Sequence, residues 1–179
     1  MFTGSYVRVA GGVVFTLLLV VGCVTDVKSR KIPNELVAAI LATGWLFALY
    51  SPDVFRALGT SLAGTAVGFG IWIGFYLAGA IGAGDVKFFS AAGAWLGPAA
   101  TWRAALIAAL AGGVLAFAFL LLEKRLGEVL RRMALAASTG SLAGIPDRLA
   151  PMRTRHRPLP YGVALAIGAL VAAWVPRWF

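Results

Sequence analysis

Six stretches of this chain contain no Asp, Glu, Lys or Arg: 9–25, 36–52, 57–84, 88–102, 104–122 and 158–176. Most reach or approach the roughly 20 residues that an α-helix needs to cross the hydrocarbon core of a bilayer. In lipid no water satisfies backbone amides, so such segments must close their hydrogen bonds internally, as helices. The fold class expected is therefore all-α: a multi-pass transmembrane helical bundle of about six spans, forming a single membrane-embedded domain over 1–179. The stretch 88–102 is the shortest; it thins the bilayer, tilts little, or starts one turn earlier at Asp85. Composition agrees, with 60% hydrophobic and 13% charged residues and a mean hydropathy of +0.87. A soluble domain needs more charge to cover its surface.

The first stretch is not read as a cleaved signal. Only Arg8 precedes it, whereas Lys28, Arg30 and Lys31 follow it, the reverse of a secretory charge order. With the six spans alternating, twelve of the 16 Lys and Arg residues fall on the cytoplasmic side. The four on the outer side are Arg8, Arg56, Arg103 and Arg177. This positive-inside bias sets the topology. It also accounts for the net charge of +9 without nucleic acid, which would require an aromatic-interleaved basic face. Cys23 is the single cysteine and His156 the single histidine. No disulfide within the chain, thiolate zinc site or histidine-rich metal site is therefore expected, and no cofactor.

The one sizeable polar stretch is 123–157, a basic cytoplasmic loop. Within it Leu126, Val129, Leu130 and Met133 share one helical face, with Lys124, Arg131 and Arg132 on or near the other. Two readings fit: an interfacial amphipathic helix held by anionic membrane lipids, or a solvated extension of the preceding helix. Residues 138–144 are small and polar and read as a connector. In the third span Gly64 and Gly68, and again Gly70 and Gly74, form small-xxx-small pairs suited to close helix packing.

Seven acids occur in the chain. Asp53 lies in a short outer turn, and Glu123, Glu128 and Asp147 lie among cations in the basic loop. Glu35 opens the second span, where a carboxylate favours the helix dipole. Asp26 closes one apolar span and Asp85 stands at the end of another, both at the cytoplasmic face. An ionisable group placed centrally in a membrane costs up to roughly 3 kcal/mol and is by default a functional candidate. At the interface the cost is smaller, so depth alone does not decide.

The local sequences do more. Asp26 is followed by Val27-Lys28-Ser29-Arg30-Lys31-Ile32-Pro33-Asn34, and Asp85 stands in Gly82-Ala83-Gly84-Asp85-Val86-Lys87. The two motifs, in this order, resemble those of the prepilin peptidases (type IV leader peptidases), which are Gly-x-Gly-Asp intramembrane aspartyl proteases. The similarity extends through Gly93-Ala94-Trp95-Leu96-Gly97 to Pro160-Tyr161-Gly162. It implies that Asp26 and Asp85 are a catalytic pair. The implied substrate is a prepilin or pseudopilin, cut after a basic leader at the cytoplasmic face of a bacterial plasma membrane. Larger members of the family carry a cytoplasmic domain, often with paired cysteines, and N-methylate their product. With 25 residues before Asp26 and Cys23 alone, this chain looks like the short peptidase-only form of Flp (tight-adherence) pili.

Physical chemistry suits that pair. Two carboxylates sharing a site cannot both ionise cheaply, so together they hold one proton. The charged member takes a proton from the attacking water, while the protonated member donates toward the substrate oxygen and leaving amine. Gly82 and Gly84 can adopt positive φ and let an extended substrate backbone approach Asp85 closely; an ordinary helix-end turn is the other reading. Lys28 and Lys87 either stabilise charged carboxylates or anchor at headgroups. Pro33 and Asn34 complete the support expected around the site, and Glu35 is a candidate to hold the leader. Two alternatives carry different chemistry. A proton-coupled transporter using Asp26 and Asp85 needs acids along a path across the membrane, yet no span holds a central charge. A non-enzymatic scaffold would keep the fold and lack cleavage.

Overall fold

The computed structural model describes residues 3–122 and 161–175, and among these every element is a helix. They are α1 (Thr3–Ser29), α2 (Asn34–Leu49), α3 (Val54–Leu77), α4 (Ala83–Leu122) and α5 (Tyr161–Trp174). Three of them contain windows long and apolar enough to cross a membrane: Val9–Ser29, Val54–Leu77 and Ala83–Ala118. The helices α2 and α5 are shorter and also apolar. The basic stretch 123–157, with its proposed amphipathic face, lies outside the described residues. Two compact units are distinguished, 1–112 with 160–179, and 113–159. The described part of the second is the helical segment 113–122.

The break in α4 does not fall at Trp102 and Arg103, where charge suggested a boundary between spans. It falls at Gly97, whose φ of 71° and ψ of 171° interrupt the helix just before Pro98. Proline lacks the N–H that would continue the ladder, and glycine tolerates the left-handed turn. Two hydroxyls cover carbonyls near the break: Ser61 donates to the Ala94 carbonyl at 2.8 Å, and Thr101 to that of Gly97 at 2.7 Å. Arg103 stays inside the helix, past the break and half-buried. Counting the two halves of α4 separately gives six apolar helical segments, compatible with about six spans.

The interior combines small residues with a few large ones, among them Phe88 and Phe89. On α1 the buried stripe is Gly11, Phe15, Leu19, Gly22 and Asp26, spaced three or four apart. The lipid side carries Val9, Val13, Leu17, Val20, Val24 and Val27, all exposed. Such an arrangement is stable only where the surrounding solvent is itself apolar. The first half of α4 (83–96) is the central helix, with Val86, Phe88, Phe89, Ala91, Ala92 and Ala94 buried. Phe88 needs Gly22 opposite it, since a Cβ there would come 2.5 Å from the ring.

On α3 the buried face is Ser61, Gly64, Gly68 and Trp72. Gly64 meets Gly93 of α4 backbone to backbone, and a Cβ on either would run into the other's carbonyl. Only one of the two glycine pairs expected from sequence does this work. Gly64 and Gly68 pack against α4, whereas a Cβ at Gly70 or Gly74 would meet no described residue within 4 Å. At the centre, Trp95 stacks on Phe15 with ring centroids 5.3 Å apart and donates its indole N–H to the Ile40 carbonyl at 2.8 Å. This joins α1, α2 and α4. The helix α5 runs antiparallel to α1: Trp174 donates to the Thr16 hydroxyl at 3.0 Å, and Gly162, at the other end, meets Asp26.

Candidate active site

Asp26 continues the buried stripe of α1 to its last turn, so packing carries its carboxylate into the bundle. It is only 6% exposed. A buried carboxylate needs hydrogen-bond donors to offset lost hydration. One comes from the opposite end of the sequence: the Gly162 N–H, in the first turn of α5, donates to Asp26 Oδ2 at 2.9 Å. The absence of a side chain at Gly162 permits this approach, because a Cβ would lie 2.8 Å from the same oxygen. Beyond Asp26, α1 closes with the Arg30 N–H bonded to the Asp26 carbonyl at 2.8 Å. Arg30 takes φ of 54°, turning the chain through Ile32 and Pro33 into α2. Arg30 also lies within electrostatic range of the Asp26 carboxylate.

Asp85 arrives by a different route. After α3 the chain turns at Gly79, with φ of 74°. The Gly79 and Ala80 N–H groups return to the Tyr76 and Phe75 carbonyls, each at 2.9 Å, the paired bonds of a glycine C-cap. The helix α4 then starts at Ala83, with Asp85 in its first turn, as the earlier-start reading of that span expects. Asp85 Oδ2 accepts the Gly82 N–H at 3.2 Å, where a carboxylate at a helix N-terminus is favoured. Asp85 is half-buried.

Of the two readings of Gly82 and Gly84 the helix-end one holds: among glycines of the described residues only Gly79 and Gly97 have positive φ. Helix α4 begins early enough to give Gly84 ordinary helical backbone. Gly82 serves instead as a backbone donor, and Gly84 leaves a gap whose nearest side chain is Ile32.

The motifs meet through several contacts. The two carboxylates lie within electrostatic range of each other, and the Tyr161 phenol lies within range of Asp85. Ile32 lies near both motifs, 3.9 Å from a Cβ built on Gly84 and 3.2 Å from one on Gly162. Lys87 donates to Asn34 Oδ1 at 3.4 Å, a tie between the residues following each aspartate. Pro33 forms the N-cap of α2, with φ of −60° and ψ of 139°. Lys28 and Glu35 are exposed. Asp53 is elsewhere, accepting the Arg56 N–H at 3.1 Å as the cap of α3.

Three residues were not assigned to the site from sequence: Gly162, Tyr161 and Trp72. The signal for the first two was the Pro160-Tyr161-Gly162 motif, which carried no role by itself. Trp72 lies 5.7 Å from the Phe89 ring and 6.1 Å from that of Tyr161. It is 2% exposed, and its indole N–H has no hydrogen-bond partner among the described residues. Among the described residues, no three His, Cys, Asp or Glu side chains group as metal ligands.

Comparison with known proteins places these observations in a family. Residues 13–117 match the family model described as the type IV leader peptidase family. The match covers more than half of the chain and includes both Asp26 and Asp85. The chain is also 35% identical over 109 residues to a prepilin leader peptidase/N-methyltransferase of Pectobacterium carotovorum subsp. carotovorum. That alignment takes in 57% of this chain and 38% of the relative's length. No solved structure matches.

Proposed function

Because the chain belongs to the type IV leader peptidase family, we propose that it is an aspartic endopeptidase of the membrane that removes the leader from prepilin-like substrates. The observation that carries this reading is the pair of carboxylates, one at the end of α1 and one at the start of α4, within electrostatic range of each other at one end of an apolar bundle. Each is held by a backbone N–H, from Gly162 and Gly82 respectively, so its orientation does not depend on a flexible partner. The pair shares one proton. The ionised member accepts a proton from water as that water attacks the scissile carbonyl. The protonated member gives its proton to the carbonyl oxygen and later to the leaving amine.

Hydrolysis without N-methylation is the finer part of the proposal. The aspartate motifs suffice for hydrolysis, and Cys23 is the one cysteine of the sequence, so these residues hold no cysteine pair. A short prepilin of the Flp type is the substrate this form implies. The test is purified chain reconstituted with such a prepilin, with and without S-adenosylmethionine. Mass spectrometry should show a cleaved product with an unmodified amino terminus in both cases. An uncleaved prepilin would refute the peptidase, and a product one methyl group heavier would refute only the restriction to hydrolysis.

The aspartate end faces the cytoplasm of a bacterial plasma membrane in this reading, supported by the distribution of Lys and Arg. In a Cys23→Ala background, a cysteine introduced at Ser29 should resist impermeant thiol reagents added to intact cells. One at Ser51, at the other end of α2, should react. The opposite pattern would reverse the orientation.

A further inference from the structure

A cavity of about 710 Å³ lies at the end of the bundle away from the aspartates, between the end of α2, the start of α3 and the break in α4. The helix α2 has 16 residues, which at 1.5 Å per residue separates the two ends by roughly 24 Å. This volume falls in the range of small-molecule sites. Its wall is apolar at Phe47, Trp95 and Leu96, and its polar groups include Ser51, Thr60 and Arg103. No carboxylate lines it.

Arg103 is the feature that needs an explanation. It is half-buried and makes no hydrogen bond or ion pair with any described residue. A guanidinium presents five N–H donors in a planar fork matched to phosphate oxygens, and partial burial makes leaving them unmet costly. The α4 break puts Pro98, Ala99 and Ala100, the first turn of 98–122, on the same wall, which adds to the positive potential. An anion with an apolar body satisfies both halves of the lining, and the surrounding membrane supplies that chemistry.

We propose that this cavity binds an anionic phospholipid from the leaflet opposite the aspartates, its phosphate on Arg103 and its glycerol and upper acyl carbons against Phe47 and Trp95. A zwitterionic lipid fits less well, because no acid is present to pair its ammonium. The proposal is independent of the peptidase reading, since none of the residues it uses belongs to the aspartate site.

The test is photo-crosslinking of the full chain in nanodiscs, with phosphatidylglycerol carrying a photoreactive group high on one acyl chain. Adducts should map to 44–51 and 94–103. They should weaken about tenfold in Arg103→Gln, the loss expected for one charged hydrogen-bonded contact. A phosphatidylcholine probe should label this segment more weakly than phosphatidylglycerol. Adducts on the basic stretch 123–157 should not respond to Arg103→Gln and serve as an internal reference. Ala57→Phe, which fills the cavity and keeps the cation, should lower labelling as well, so the outcome does not hang on one variant. Equal labelling by the two lipids, or labelling unchanged in both variants, would overturn the proposal. So would competition by inorganic phosphate at concentrations equal to the probe, which would identify a free-phosphate site instead.

Discussion

Asp26→Asn and Asp85→Asn are each expected to abolish leader cleavage while leaving insertion and yield near those of the parent chain. An amide keeps the shape of the carboxylate and can still accept the Gly162 or Gly82 N–H through its oxygen. It cannot cycle a proton between water and leaving group. General acid–base steps are worth on the order of 10²–10⁴-fold, and residues acting as a unit are strongly non-additive. Either single substitution should therefore cost nearly as much as the double one. Asp53→Asn is the control. Asp53 caps α3 through the Arg56 N–H, a role asparagine performs equally well. Prepilin processing by purified variants in liposomes measures all four proteins. A single variant retaining more than about a twentieth of the parent rate would remove the dyad, because loss of the shared proton predicts a far larger drop. Glu35, exposed in the first turn of α2, would then be the next acid to test.

Gly162→Val should cost on the order of 10²-fold in kcat, and Gly162→Ala about tenfold, with the protein still folded. The sign and the site of the effect follow from what the new Cβ meets. It would lie 2.8 Å from Asp26 Oδ2 and 3.1 Å from Cγ, with Ile32 Cδ1 at 3.2 Å. The nearest atom is the end of a side chain rather than backbone, so the carboxylate moves and the helix need not. A displaced Asp26 loses its donor and its alignment with Asp85, and misplacement of a reacting group by about 1 Å is enough for such a loss. Helix propensity runs the other way, since alanine is the better helix former than glycine. Impaired activity in a protein with unchanged thermal stability is thus the signature. Gly70→Ala, where a Cβ meets nothing within 4 Å, should be neutral in both. If Gly162→Ala cleaves at the parent rate, the Gly162 contact does not orient the reacting carboxylate.

The amino-acid sequence was sufficient for the class of fold, because lipid leaves an apolar segment no choice but to close its own hydrogen bonds. It also marked Asp26 and Asp85 as the candidates, through the motifs that flank them. It could not say which helical faces touch. In a soluble helix the polar side marks the solvent, but here lipid and core are both apolar, and the pattern that normally distinguishes them is nearly flat. The two glycine pairs of α3 looked equivalent for that reason, although only Gly64 and Gly68 have α4 against them. The position of the α4 break was likewise misread from Arg103. Charge marks where a side chain can reach water, whereas a helix ends where backbone geometry and a missing N–H stop it, at Gly97 and Pro98. The donor to Asp26 comes from 136 residues away. Only the antiparallel packing of α5 on α1, with no side chain at Gly162 to hold the helices apart there, brings the Gly162 N–H to that carboxylate.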